Sequence, residues 1–385
     1  MSQLFKPSLH TQRHDFVVDF VRRNNPQKVA DLGCGECSLL GKLRFHRQIK
    51  LLVGVDQNGA KLRKKMHGLA PLSTDYLQPT FDQLCVQLYQ GSVTQKDARF
   101  RGFDLVTSIE LIEHLPLDDL EPFSNVVFGY MAPQTVIIST PNSEFNPLFP
   151  GLSGFRHSDH KFEWTRVEFQ SWALNVGSEF GYKAEFTGVG RAPPGQEQRI
   201  GFCTQIGVFH RLMVVRDGHM FGDNAEDNYP YTLLYSVTYP SLRDDNILRK
   251  ILVSELLCWA EKLKKEWLEK RTDKLEEANP VDKDERVGEY GDIFWTNSPV
   301  PQCHTLHRHV SVPLQLLWTC CPKLRELSGS LSNLRQLIVD DPQIKMNRQR
   351  SAVILCSQEQ DPGDEDPNDL TDSGYAERSH VEEEH

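Results

Sequence analysis

The chain has 385 residues, 39% of them apolar and 25% charged, with a formal net charge of −10; this excludes collagen-like, coiled-coil and fully disordered classes. The charge is concentrated, because residues 357–385 carry eleven Asp/Glu against one Arg, Arg378, so that residues 1–356 sum to zero and residues 1–216 hold 24 Lys/Arg against 21 Asp/Glu. Acidity therefore describes a tail and excludes no polyanionic ligand for the rest. No run approaches roughly 18 consecutive apolar residues, so no membrane span is expected. The N-terminus lacks the apolar segment of a secretory signal and the nine cysteines are irregularly spaced, which points to reduced thiols in a cytosolic or nuclear protein.

A lead-in helix is expected within residues 1–27. Residues 28–216 then alternate between short Val/Ile/Leu-rich runs and helix-compatible stretches. The runs at 28–34, 51–56, 86–91, 104–109 and 135–140 suit strands buried on both faces of a parallel sheet, with helices between them, for example over 38–45 and 117–131. Thr165-Arg-Val-Glu168 is a capping box that opens a helix stopping near Gly181. Two further strands, 183–189 and 203–212, are joined by a Gly/Pro-rich loop over 190–201 fit for a hairpin. The expected fold class is α/β, with a mostly parallel, seven-stranded sheet and an antiparallel edge. Residues 217–356 read as a partly helical, weakly ordered extension, with a long helix over 244–270 and one or two short helices over 314–338. Residues 357–385 read as a disordered acidic tail.

Val29-Ala-Asp31-Leu-Gly33-Cys-Gly35-Glu36 lies where the first strand should end. Two glycines separated by one residue let the backbone approach a ligand at the carboxyl edge of an α/β sheet. The third glycine of the dinucleotide fingerprint is replaced by Ser38, and no Gly-Lys-Ser/Thr follows. Asp31 would repel a pyrophosphate but suits a positively charged amino acid moiety. Asp56, closing the second strand, can accept hydrogen bonds from both ribose hydroxyls of an adenosine, and Gly91-Ser92-Val93 follows the third strand, where polar contacts to an adenine edge fit. Together these features resemble the Rossmann-like class I S-adenosylmethionine-dependent methyltransferases, which implies cofactor contacts from Asp31, Gly33, Gly35, Asp56, Ser92 and Val93. Cys34-Gly-Glu-Cys37 has C-x-x-C spacing but neither a thioredoxin context nor a second pair.

Glu110-Leu-Ile-Glu113-His114 follows the fourth strand. A helical turn there brings two carboxylates and an imidazole together, which is costly unless a cation neutralises them; a solvated acidic turn has the same pattern. The inverted zinc-peptidase motif fails because Glu110 stands in place of its first His. Between the fifth strand and the capped helix, Phe155-Arg-His-Ser-Asp-His-Lys-Phe-Glu-Trp164 gathers histidines, basic residues and aromatics. With the glycine loop, Ser139-Thr-Pro-Asn142 and Cys203-Thr-Gln-Ile206, these segments resemble the small-RNA 3′-terminal 2′-O-methyltransferases, the HEN family, over roughly residues 10–215. The resemblance implies Glu110, Glu113, His114 and His160 as metal ligands, for Mg²⁺ by the hard oxygens, with Mn²⁺ or Co²⁺ favoured by the imidazoles. It implies methyl transfer to the 2′-hydroxyl at the 3′ end of small single-stranded RNAs such as piRNAs, protecting that end from uridylation and degradation. Plant members carry double-stranded-RNA-binding domains upstream; only about thirty residues precede the glycine loop here. That difference favours a single-stranded substrate presented by a PIWI-type Argonaute partner. A monomer in the cytoplasm, extending to germline ribonucleoprotein granules, is the matching expectation.

On this reading one metal binds both terminal hydroxyls and lowers the pKa of the 2′-hydroxyl, and His157 or a ligand histidine takes the proton. Arg156, Lys161 and Arg166 are candidates for RNA phosphates, and Phe155, Phe162 or Trp164 for stacking the last base, with core packing as the alternative for the aromatics. Two other functions remain open at this point: a non-catalytic RNA-binding module on the same fold, and a metal-independent small-molecule or protein methyltransferase. Cys303-His304-x-x-His307-x-His309 and Cys320-Cys321 supply metal-competent residues without a standard zinc spacing.

Overall fold

The computed structural model describes residues 5–212, 228–276, 303–306 and 309–356. Helix α1 (Leu9–Asn24) begins at Ser8, whose hydroxyl accepts from the Thr11 amide, and closes on Asn25 in the left-handed conformation. Strands β1 (Lys28–Leu32), β2 (Leu51–Asp56), β3 (Cys85–Gln90), β4 (Leu105–Ile109) and β5 (Thr135–Pro141) are parallel. Their continuous apolar runs are explained by two-sided burial. Ala30, Leu32, Val53 and Val106 face one layer, with Phe123, Phe128 and Phe169, while Val29, Leu52, Leu105 and Ile137 face the other, with Val17, Leu40 and Leu62.

Between these strands run α2 (Ser38–Leu43), α3 (Gly59–Lys65), α4 (Ser73–Leu77) and α5 (Leu120–Ser124), the last continuing into a π-helical stretch, Asn125–Met131. The predicted capping box forms as expected, with Thr165 accepting from the Glu168 amide and Glu168 accepting from the Thr165 amide. It opens α6 (Arg166–Phe180), which closes on Gly181 at φ 76. Strands β6 (Tyr182–Arg191) and β7 (Phe202–Arg211) form the hairpin, with a short helix α7 (Glu197–Ile200) in its loop.

The sheet has eight strands in the order β6-β7-β5-β4-β1-β2-β3-β8, where seven were expected. The addition is β8 (Thr232–Thr238), antiparallel to β3. It escapes a pattern search because it is a half-exposed edge strand lying beyond the expected boundary at residue 216. It is anchored by Tyr231, which is 4% exposed. The Tyr231 hydroxyl donates to the Ser92 and Gln95 carbonyls, and its amide donates to the buried Asp97 carboxylate, which also holds Arg99.

The chain falls into two compact units, Met1–Leu248 and Arg249–His385, so the expected boundary lies inside the first. Helix α8 (Asp245–Glu276) runs across this division, six residues longer than expected at its C-terminal end. In the second unit, β9 (His304–Leu306), β10 (His309–Pro313) and β11 (Ala352–Cys356) form an antiparallel sheet. Three short helices, α9 (Leu314–Cys320), α10 (Pro322–Ser328) and α11 (Leu331–Ile338), stand where one or two were expected. Their core includes Leu314, Leu317, Leu324, Leu334 and Ile338, all buried. No helix among the described residues is long and apolar enough to cross a membrane. The expected acidic tail lies outside the described residues.

Candidate active site

The sheet reverses its winding between β1 and β4, and the crevice beyond the carboxyl ends of those strands is where open α/β sheets bind ligands. Gly33 and Gly35 sit there at φ 73 and φ 52. The positive φ favours glycine at Gly33, where a Cβ would also come within 2.7 Å of a Leu111 methyl that would have to move. The Gly33 amide donates to the Val55 carbonyl at 2.8 Å, and the Gly35 amide to Asp56 Oδ2 at 2.9 Å. Asp56 Oδ1 accepts from the Asn58 amide, so this carboxylate is fixed beside the loop.

A cavity of about 300 Å³ opens on Asp31, Gly33, Gly35, Lys61 and Glu110, with His10, Arg13 and His14 of α1 forming another wall. Asp56, Ser92 and Val93 are not among its lining residues, although Asp56 bonds the Gly35 amide on its wall. Val93 packs into the core, and the Ser92 hydroxyl bonds Thr94 and accepts from Gln57. Cys34 and Cys37 are buried in the loop as free thiols.

Asp31 is 4% exposed and accepts from Thr107 Oγ1 at 2.7 Å, its neighbour across the β1–β4 register. Burial pushes its carboxyl up to about 7, with Asp56 adding to the rise and the Thr107 bond opposing it. In the free protein, a carboxyl raised in this way favours the fold when protonated, so its contribution to stability falls as pH rises from the unfolded value, about 4, toward 7. Binding a cationic amine has the opposite sign, since it needs the ionised form. The affinity for S-adenosylmethionine, the expected cofactor, should therefore be about tenfold weaker near pH 6 than near pH 8, and Asp31→Asn should flatten that profile. Calorimetric titration across this range checks it; a pH-independent affinity would remove Asp31 from the ammonium's site.

Beyond β4 the chain does not form the single helical turn expected over 110–114. Glu110 takes φ 53, and the tight 3₁₀ turn covers Ile112–His114 only. Glu110 is committed to other partners: its Oε1 accepts from Ser139 Oγ at 3.0 Å and its Oε2 pairs with Arg13 at 3.2 Å. Glu113 is fully buried, and its Oε2 accepts from Thr140 Oγ1 while its Oε1 has no partner. Burial first, and the Glu110 charge second, raise the Glu113 carboxyl well above the usual range.

His114 and His160 place their rings 4.9 Å apart, and one ligating atom from each of Glu113, His114 and His160 lies within 4.8 Å of the others. Of the four expected metal ligands, three are thus brought together, and Glu110 stands outside the group. Burial and the neighbouring His160 and His157 hold the His114 imidazole below its ordinary value, which leaves a lone pair free. A buried carboxylate with an unpaired oxygen, grouped with two imidazoles, is a donor set that fits a divalent cation. Glu163 went unnoticed as a site residue in the sequence; its Oε1 meets His160 Nδ1 at 2.5 Å and orients that ring. Its signal was present as the i, i+3 spacing from His160.

The expected RNA contacts divide. Arg156 spends its guanidinium on Asn146 Oδ1, on the Cys203 carbonyl and on the Asn142 carbonyl, and lies over the Phe149 ring. Arg166 is held by Glu144 and by the Gln198 and Arg199 carbonyls. Both arginines are tied to loop carbonyls, and Arg156 also lines a cavity with His157 and His160. Lys161 is exposed. Phe162 is buried and Trp164 packs against the core, whereas Phe155 is 48% exposed. His157 is exposed and lines a second, mostly apolar cavity of about 330 Å³ with Phe5, Leu9, Phe149 and His160. Arg13 and Glu110 line both cavities. Cys303, Cys320 and Cys321 are free thiols and belong to no cluster of three metal-competent side chains among the described residues; the side chains of His304 and His307 lie outside those residues.

Residues 246–357 match the family described as the HENMT1 C-terminal domain. The chain is 42% identical to the small RNA 2′-O-methyltransferase of Mus musculus over 366 residues, covering 91% of this chain and 90% of that protein. To the Xenopus tropicalis protein of the same description it is 43% identical over 353 residues, covering 88% and 94%. Among solved structures, the small RNA methyltransferase HEN1 aligns over 60% of this chain and 27% of its own, at 30% identity and a TM-score of 0.48.

Proposed function

Because the chain belongs to the small RNA 2′-O-methyltransferase family of S-adenosylmethionine-dependent enzymes, we propose that it acts on the 3′-terminal ribose of its RNA, with a divalent cation held by Glu113, His114 and His160. The observation that carries this reading is the buried Glu113 carboxylate, one oxygen of it without a hydrogen-bond partner, within ligating reach of two imidazoles. A divalent cation there lowers the pKa of a hydroxyl that binds it. Adjacent 2′- and 3′-hydroxyls, found only at a free RNA end, are the ligands that match.

The chain's own residues do the rest. Asp31, Asp56 and the Gly33–Gly35 backbone hold the cofactor, and the apolar cavity beside His160 excludes water from the terminal nucleoside. Arg13 and Glu110 form the wall shared by the two cavities. His157, which is exposed and lines the second cavity, would carry away the hydroxyl proton. Residues 1–216 carry little net positive charge, 24 against 21, which fits weak binding of free RNA. Small RNAs of the piRNA class, presented by a PIWI-type Argonaute in the cytoplasm and protected at the end they expose, complete the proposal.

Chelation tests the metal. EDTA should lower methyl transfer at least about hundredfold, with Mg²⁺ or Mn²⁺ restoring it, while the cofactor's dissociation constant stays within about twofold. Undiminished turnover in EDTA would favour the metal-independent alternative.

A further inference from the structure

Helix α1 was expected only to lead into the sheet, yet His10, Arg13 and His14 project from it into the cofactor cavity. Their i, i+3, i+4 spacing puts them on one face, and the His10 and His14 rings lie 4.1 Å apart. His14 is 6% exposed, and its Nδ1 is buried without a hydrogen-bond partner. Arg13 Nε is likewise buried and partnerless, although the same guanidinium reaches Glu110 and Thr204 through Nη1. Two unpaired buried nitrogens on consecutive residues are costly to keep unless a ligand supplies the acceptors.

S-Adenosylmethionine has such an acceptor. Its methionyl end is a zwitterion: the ammonium suits Asp31, and the carboxylate needs donors on the opposite wall. We propose that Arg13 and His14 hold the α-carboxylate of the cofactor, which makes α1 part of the cofactor site. Burial first, then His10, pushes the His14 imidazole down to about 4. It is therefore neutral near pH 7 and donates an N–H, while Arg13 supplies the charge. Lys61, the other cation on the cavity, is exposed; its ammonium is already hydrated and gains less from a carboxylate.

The inference rests on the cofactor assigned above, and its test separates the two. Decarboxylated S-adenosylmethionine keeps the sulfonium and the amine but lacks the carboxylate. By calorimetry, the full chain should bind the intact cofactor at least about tenfold more tightly than the decarboxylated one. Arg13→Met and His14→Leu should each bring that ratio close to one by weakening only the intact cofactor, and His14→Asn, whose amide can stand in for Nδ1, should preserve most of it. Equal affinities in the unaltered chain, or parallel losses for both compounds in both variants, would overturn the proposal. Failure of the unaltered chain to bind S-adenosylmethionine at all would overturn the cofactor assignment instead.

Discussion

Glu113→Gln should lower methyl transfer by about a thousandfold or more, a loss of about 4 kcal/mol of transition-state stabilisation, while cofactor affinity stays within about twofold. The substitution keeps the shape of the side chain and its acceptor for Thr140 Oγ1, but removes the charge that the proposed cation needs. Its effect on stability has the opposite direction. Burial raises the Glu113 carboxyl well above its ordinary value, so ionising it costs the metal-free fold stability as pH rises above the unfolded value, about 4.5. A neutral isostere avoids that cost, and in chelator near neutral pH the variant should melt no lower than the parent. Steady-state transfer, cofactor titration and thermal unfolding on the same preparation check all three parts. A variant that keeps more than about a tenth of the activity would contradict a metal role for Glu113. A variant that melts well below the parent would mean that the carboxylate serves the fold.

The strands and their order of burial were legible because parallel strands covered on both faces must be apolar without interruption, and the runs around Val29, Leu52 and Ile137 have that character. The capping box at Thr165 was legible because it is a local device, complete within four residues. The edge strand β8 was not: one face is wet, and the residues that secure it, Tyr231, Asp97 and Arg99, are more than a hundred positions apart in part. At the site, spacing singled out Glu110, Glu113 and His114, and the resemblance added His160; the structure brings Glu113, His114 and His160 together. Backbone conformation was the hidden variable. The positive φ of Glu110 breaks the expected turn and hands its carboxylate to Arg13, a residue about a hundred positions earlier. The bonds of Arg156 and Arg166 to loop carbonyls were not legible, because sequence reports charge and not the acceptors that the fold brings to it. Glu163, His10 and His14 were passed over because their partners, His160 and the cofactor cavity, are defined only by the folded chain.

The proposal that the reaction is confined to a free RNA end is tested most directly by two RNAs of identical sequence, one ending in a 2′,3′-diol and the other in a 3′-phosphate. Both present the same internal 2′-hydroxyls and the same bases, so any difference in methyl transfer reports the terminus alone. A site built around both hydroxyls leaves its polar groups unpaired when one is blocked, and such a site discriminates by about a thousandfold or more. With labelled S-adenosylmethionine and saturating Mn²⁺, initial rates should differ by at least that factor, with the label on the terminal 2′-oxygen of the diol RNA. Equal rates on the two RNAs, or label at an internal ribose or on a base, would contradict it.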